Sequence, residues 1–110
     1  MNCVNECSEP LRIGILGAAR IARKNIAAIQ HQVSHCKVTA IASRSIEKAE
    51  ALKKNHVIES DHQNVKIFSG AASYDEILQS DLIDAIYIPL PTCLKKEWVL
   101  KAISNEKHVL

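Results

Sequence analysis

"LRIGILGAARIARK", residues 11–24, decides how the chain is read. It opens on a short run rich in Ile and Leu, of the kind that forms a strand buried on both faces. A glycine follows, then a stretch with helical spacing. Strand, tight turn and helix N-terminus are the three parts of a turn that cradles a dinucleotide pyrophosphate, with the fingerprint Gly-x-Gly-x-x-Gly. Read from Gly17, the three glycine places hold Gly17, Ala19 and Ala22. Gly17 stands at the turn, where a side chain would obstruct most. Ala22 falls inside the helix on the side facing the sheet, where the fingerprint accepts a methyl. Ala19 is the costly replacement, because the pyrophosphate must approach its backbone. A methyl is still the smallest addition possible. Free N–H groups and the positive end of the helix dipole continue to face an anion there.

Outward from this unit, apolar runs and helical stretches alternate. The helix after the turn is expected over residues 20–31, with Ala22, Ile26, Ile29 and Val33 drawing one apolar face. "KVTAIAS" (37–43) returns to strand. "SIEKAEALKKNH" (45–56) is helical, with Ser45 as N-cap and Glu47 in its first turn. Residues 55–65 are polar and without period, so a loop is expected. "VKIFSG" (65–70) is a short strand. "SYDEIL" (73–78) opens a helix in which Ser73 and Glu76 form a capping box. "IDAIYIPLP" (83–91) is an apolar strand stopped by two prolines. Thr92 caps the next helix, whose Leu94, Trp98, Val99, Ala102 and Ile103 share a side, and Asn105 ends it in the left-handed conformation. "KHVL" (107–110) begins a fifth strand. Connections this long rule out hairpins. The fold class is therefore α/β, a doubly wound parallel sheet with helices on both faces in three αβα layers.

The chain's 110 residues suit one domain, with residues 1–10 as a loose leader and 11–110 as the domain. A net charge of +2 and few aromatics give no support to a nucleic-acid surface. No segment reaches the roughly 20 apolar residues of a membrane span, and the first ten residues lack a signal-peptide pattern. A cytoplasmic protein is expected. Cys3, Cys7, Cys36 and Cys93 form no C-x-x-C pair and read as free thiols. His31, His35 and Cys36 could in principle share a helix-end site, but a zinc site needs three or four ligands with a second shell, and no metal is expected.

Two further stretches bear on the ligand. At the end of the second strand an NAD-binding domain places Asp or Glu against the ribose hydroxyls. Here "ASRS" puts Ser43 and Arg44 there, with Lys48 one turn into the next helix. A carboxylate would repel a 2′-phosphate, whereas a hydroxyl and a guanidinium hold one. NADP is therefore preferred to NAD. "IPLPT" (88–92) closes the fourth strand at the sheet's carboxyl edge, where ligands of open α/β sheets bind. Its prolines make a rigid wall that needs no ladder hydrogen bonds.

Together "RIGILGAARIARK", "AIASRSIEKAEAL", "YDEIL", "AIYIPLPT" and "KEWVLKAISNEKHVL" resemble the glucose–fructose oxidoreductase/inositol dehydrogenase (Gfo/Idh/MocA) family, nearest its NADP-dependent sugar and dihydrodiol dehydrogenase branch. The resemblance runs from Leu11 to Leu110. It implies a Rossmann domain followed by a larger α/β domain that carries most of the substrate site and often the oligomer interface, and that is absent from this chain. It matches the phosphate turn to Gly17, Ala18, Ala19, Arg20 and Ile21, the 2′-phosphate site to Ser43 and Arg44, and the nicotinamide wall to Pro89, Leu90, Pro91 and Thr92. Lys95 stands where many members carry a histidine. The family continues after "KHVL" with a Glu-Lys-Pro segment whose lysine is its presumed catalytic group. On this reading no catalytic residue lies within the 110, Lys95 being the alternative. The expected function is the NADP-binding part of an oxidoreductase that moves a hydride to or from a sugar, polyol or diol carbon. A binding module that holds NADP without turnover is the alternative.

Overall fold

The structure is a computed structural model that describes residues 11–18, 20–32, 36–57 and 64–110. Among the described residues nine elements alternate: β1 (Leu11–Leu16), α1 (Arg20–Gln32), β2 (Cys36–Ser43), α2 (Ile46–His56), β3 (Lys66–Ser69), α3 (Ser73–Leu78), β4 (Ala85–Tyr87), α4 (Thr92–Ser104) and β5 (His108–Val109). All strands pair in parallel, in the order β3-β2-β1-β4-β5. The chain winds outward from β1 to β3, then crosses back to β4. The order therefore reverses between β1 and β4, and a crevice opens there beyond their carboxyl ends.

Two cores flank the sheet. On one face Ile13 and Ile15 of β1 pack with Ala22 and Ile26 of α1 and Ala49 and Leu52 of α2. On the other, Leu16 and Ile86 pack with Ile77 and Leu78 of α3 and Ala102 of α4. The three expected layers are present. Ala22 and Ile26 are fully buried and Ile29 packs beside them, as the helical stripe requires, while Val33 lies outside the described residues. Ile103 departs from the expected face of α4 and is 59% exposed. It lies next to the buried Ala102 in sequence, and one step along a helix turns a side chain by about 100°.

β2 contains a bulge. Ile13 pairs with Val38 but Gly14 pairs with Ala40, so Thr39 is the extra residue. Its Oγ1 donates to the Leu82 carbonyl at 2.7 Å, which ties the bulge to the segment ahead of β4. At the amino edge of the sheet Arg12 and Asp84 form a two-pronged pair. Arg12 Nη2 donates to Oδ1 at 2.9 Å and Nε to Oδ2 at 3.1 Å. The Arg12 backbone N–H adds a third bond, 3.0 Å to Oδ2. Lys107 Nζ donates to the Ser80 and Ile83 carbonyls at 2.7 and 3.1 Å, fastening the approach to β5.

Three helix ends differ from the sequence expectation. Ser73 is the first residue of α3, behind Ala72 at the cap position, and its hydroxyl makes no capping bond. The turn at Gly70, φ +100°, already directs the Ser73 N–H to the Gly70 carbonyl, so the helix enters without a side-chain cap. Thr92 likewise falls inside α4 because Pro91 takes the cap position with φ −56°. A side chain one residue into the helix no longer reaches the free N–H groups that a cap serves. At the far end Asn105 has φ −93° and Glu106 takes the left-handed conformation at φ 62°. Asn105 Nδ2 instead donates to the Lys101 carbonyl at 2.8 Å. The fourth strand is also shorter than 83–91. Pairing spans Ala85–Tyr87, and Pro89 and Pro91, lacking N–H groups, carry the chain on without ladder bonds.

Candidate functional site

The crevice is framed by three chain segments at the carboxyl edge. The first is the β1–α1 turn. Gly17 is buried with φ +106°, a conformation that glycine adopts freely and other residues rarely do. Its N–H donates to the Ala42 carbonyl at 2.8 Å, which holds the turn beside the end of β2. A side-chain carbon at Gly17 would meet Leu90 Cδ2 at 3.1 Å and the Tyr74 hydroxyl at 3.4 Å. Arg20 and Ile21 open α1 directly beyond this turn, while Ala19 lies outside the described residues.

The second segment joins β2 to α2, and two serines shape it. Ser43 is buried, and its Oγ accepts the Ser45 N–H at 3.1 Å. Ser45 caps α2 as expected, its Oγ accepting the Lys48 N–H at 3.3 Å. Arg44 lies between them and is exposed, with Lys48 exposed one turn on. The third segment is the proline wall. Pro89 is buried, Leu90 half-buried and Pro91 exposed.

These segments enclose a cavity of about 320 Å³, lined by Gly17, Ala18, Ser43, Arg44, Lys48 and the wall residues Pro89, Leu90 and Pro91. Eight of the expected site residues therefore meet in one place. Thr92 and Lys95 are exposed on the first turn of α4 and are not among its lining residues. Tyr74 of α3 and Leu94 of α4 line it as well, and local sequence gives no sign of them. They reach the crevice only because α3 and α4 pack on the sheet face opposite α1. A second cavity of about 400 Å³ adjoins the first through Ala18 and Lys48, and brings Arg23, Asn55 and His56 alongside.

The charge pattern is one-sided. Arg44 and Lys48 are cations, and no Asp or Glu is among the lining residues. The strongly shifted carboxylate, Asp84, belongs to the opposite edge. Hydrogen bonds from the Arg12 side chain, then from its backbone N–H, hold the Asp84 carboxyl at about 2, below the ordinary 3.8. Among the described residues no cluster of His, Cys, Asp and Glu suits a metal ion, and no helix is long and apolar enough to cross a membrane.

Residues 11–110 match the sequence profile of the Gfo/Idh/MocA oxidoreductase family, NAD-binding Rossmann fold. A dTDP-3,4-didehydro-2,6-dideoxy-alpha-D-glucose 3-reductase of Saccharopolyspora spinosa is 34% identical over 102 residues, covering 93% of this chain and 28% of the reductase. A D-xylose 1-dehydrogenase (NADP(+)) of Haloferax volcanii is 36% identical over 100 residues, covering 91% of this chain and 28% of the dehydrogenase. Among solved structures, a 3-ketoreductase from Actinomadura kijaniata in complex with NADP and TDP-benzene superposes with a TM-score of 0.76 at 31% identity, over 93% of this chain and 28% of that one. The chain thus spans little more than a quarter of the length of these relatives. The reversal of strand order, the glycine turn facing it and the family profile agree: this chain belongs to the Gfo/Idh/MocA oxidoreductases and comprises their NAD(P)-binding Rossmann domain.

Proposed function

We propose that the crevice binds NADP(H) in preference to NAD(H), as the cofactor part of an oxidoreductase acting on a sugar, polyol or diol. The observation that carries this reading is the lining of the 320 Å³ cavity, which brings the glycine turn together with Arg44 and Lys48 and has no carboxylate among its lining residues. The turn suits a pyrophosphate because a β-carbon at Gly17 would crowd the crevice, and because the chain enters α1 directly beyond it. Arg44 suits a 2′-phosphate because a guanidinium offers a planar pair of donors to phosphate oxygens. Ser43 keeps its hydroxyl proton to donate while its oxygen holds the Ser45 N–H. The wall at Pro89 to Pro91 is rigid and suits the nicotinamide ribose.

The bound dinucleotide supplies the hydride chemistry. This chain's own residues bind and orient it. The family profile and the relatives that act on sugars support the substrate class, and residues outside these 110 would read the substrate. The reductase and the xylose dehydrogenase act on a sugar nucleotide and a free sugar. One is a 3-reductase and the other a 1-dehydrogenase of sugars, and the proposal is limited to oxidation and reduction of that class.

Titration of NADP(H) and NAD(H) against the parent and Arg44→Ala tests the reading. A charged hydrogen bond contributes about 1.5–3 kcal/mol, so the variant should lose roughly ten- to a hundredfold in NADP affinity. NAD affinity should stay within about twofold, a change of under 0.5 kcal/mol. Equal losses for both nucleotides would remove Arg44 from the 2′-phosphate site.

A further inference from the structure

The crevice contains a hydroxyl that neither the glycine turn nor the cationic mouth accounts for. Tyr74 lies in the first turn of α3 and sends its ring across to β1, where its Oη comes within 3.4 Å of the position a β-carbon would take on Gly17. The same residue lines the cavity together with Ser43, Arg44 and Leu90. The ring is firmly held. Trp98 of α4 meets it edge-on, with centroids 5.2 Å apart and planes at 86°. Lys101 covers the Trp98 ring at 4.3 Å from its centroid. That ammonium also faces Glu97 at 3.4 Å and Asp75 at 3.7 Å, so α3 and α4 are joined around the aromatic pair. A hydroxyl on so braced a ring has little freedom to turn elsewhere, and no protein group among the described residues bonds to it.

We propose that the Tyr74 hydroxyl donates a hydrogen bond to the bound dinucleotide at the pyrophosphate, from the α3 side of the crevice, opposite the N-terminus of α1. This rests on the NADP(H) reading above. Three features of the position favour the pyrophosphate over the 2′-phosphate. The hydroxyl stands beside Gly17, the residue at which the phosphate turn begins. Arg44 and Lys48 already supply the cations that suit the 2′-phosphate, on the segment following β2. A phenol is a neutral donor, which suits a group that the α1 N-terminus already faces with N–H groups. The brace keeps the donor in place before the nucleotide arrives, so little ordering is needed on binding.

The pyrophosphate is common to both nucleotides, and this makes the assignment testable. Tyr74→Phe retains the ring and its contact with Trp98 and removes only the hydroxyl. NADP(H) and NAD(H) are titrated against the parent chain and the variant, with a thermal melt of each. The expected result is about a tenfold or greater weakening of both nucleotides by similar factors, with the melting temperature unchanged within a degree or two. Unchanged affinity for both would overturn the assignment. A loss confined to NADP(H) would also overturn it, by moving the hydroxyl to the 2′-phosphate. Failure of the parent itself to bind either nucleotide would instead overturn the cofactor reading, and this inference with it.

Discussion

Gly17 shows how much a single residue decides. Its φ of +106° is strained for any residue with a β-carbon, and the space such a carbon needs is bounded by Leu90 and the Tyr74 hydroxyl. Gly17→Val should therefore weaken nucleotide binding at least a hundredfold, a loss of about 2.7 kcal/mol or more. Fluorescence titration with NADPH reads this directly, and parental affinity in a folded variant would contradict it. The turn at Gly17 was legible in the sequence because a strand, a glycine and a helical stretch stand in close succession. Ser43, Arg44 and Lys48 were legible for the same reason: they follow a β-branched run that had to end near the crevice. Tyr74 was not. Its place in the crevice arises from packing between α3, α4 and the sheet, contacts between residues far apart in the chain, and "SYDEIL" carries no local trace of them.

At the scale of elements, strands and helices could be read from apolar spacing, but helix ends were read unevenly. Ser45 caps α2 as expected because a free serine precedes it and Lys48 presents its N–H at the right turn. Ser73 and Thr92 fit the same composition rule and fail it, because Gly70 and Pro91 start their helices one residue early. The end of α4 is set by tertiary anchors: the Lys107 N–H bonds the Ala102 carbonyl at 3.0 Å while its ammonium grips Ser80 and Ile83. That arrangement places Glu106, not Asn105, in the left-handed region, which costs a non-glycine residue roughly 1–2 kcal/mol. Glu106→Gly should recover part of this, since glycine also gains freedom in the unfolded chain. A net stabilisation of about 0.5–1 kcal/mol is expected from urea unfolding. Destabilisation would show that the Glu106 side chain contributes more than its backbone strain removes.

For the whole molecule, alternation of strands and helices implied a parallel three-layer sheet, and the β3-β2-β1-β4-β5 order realises it. The bulge at Thr39 was hidden, because β2 is buried continuously from Val38 to Ser43 and no exposed position marks where the pairing slips. The two sheet edges divide the labour. The amino edge holds the fold through Arg12 and Asp84, and the carboxyl edge forms the crevice. Because the Asp84 carboxyl sits at about 2 in the fold against an ordinary 3.8, the unfolded chain binds more protons between those values. Its contribution is thus complete above about pH 4–5 and is lost as pH falls toward 2. Both side chains are more than a third exposed, so solvent screening holds the contribution to about 1 kcal/mol. Asp84→Asn should lower stability by about that amount at pH 7 and flatten its acid dependence; an unchanged acid slope would contradict the pairing. Nucleotide affinity should not change, since the pair lies at the far edge. Amide chemical-shift mapping of the chain on addition of NADPH tests whether the carboxyl edge is the cofactor site. Shifts are expected at residues 17–21 and 43–48 and, on the proline wall, at Leu90 and Thr92, with Arg12, Asp84 and Lys107 unmoved. Shifts at the amino edge, or none anywhere at saturating NADPH, would contradict it.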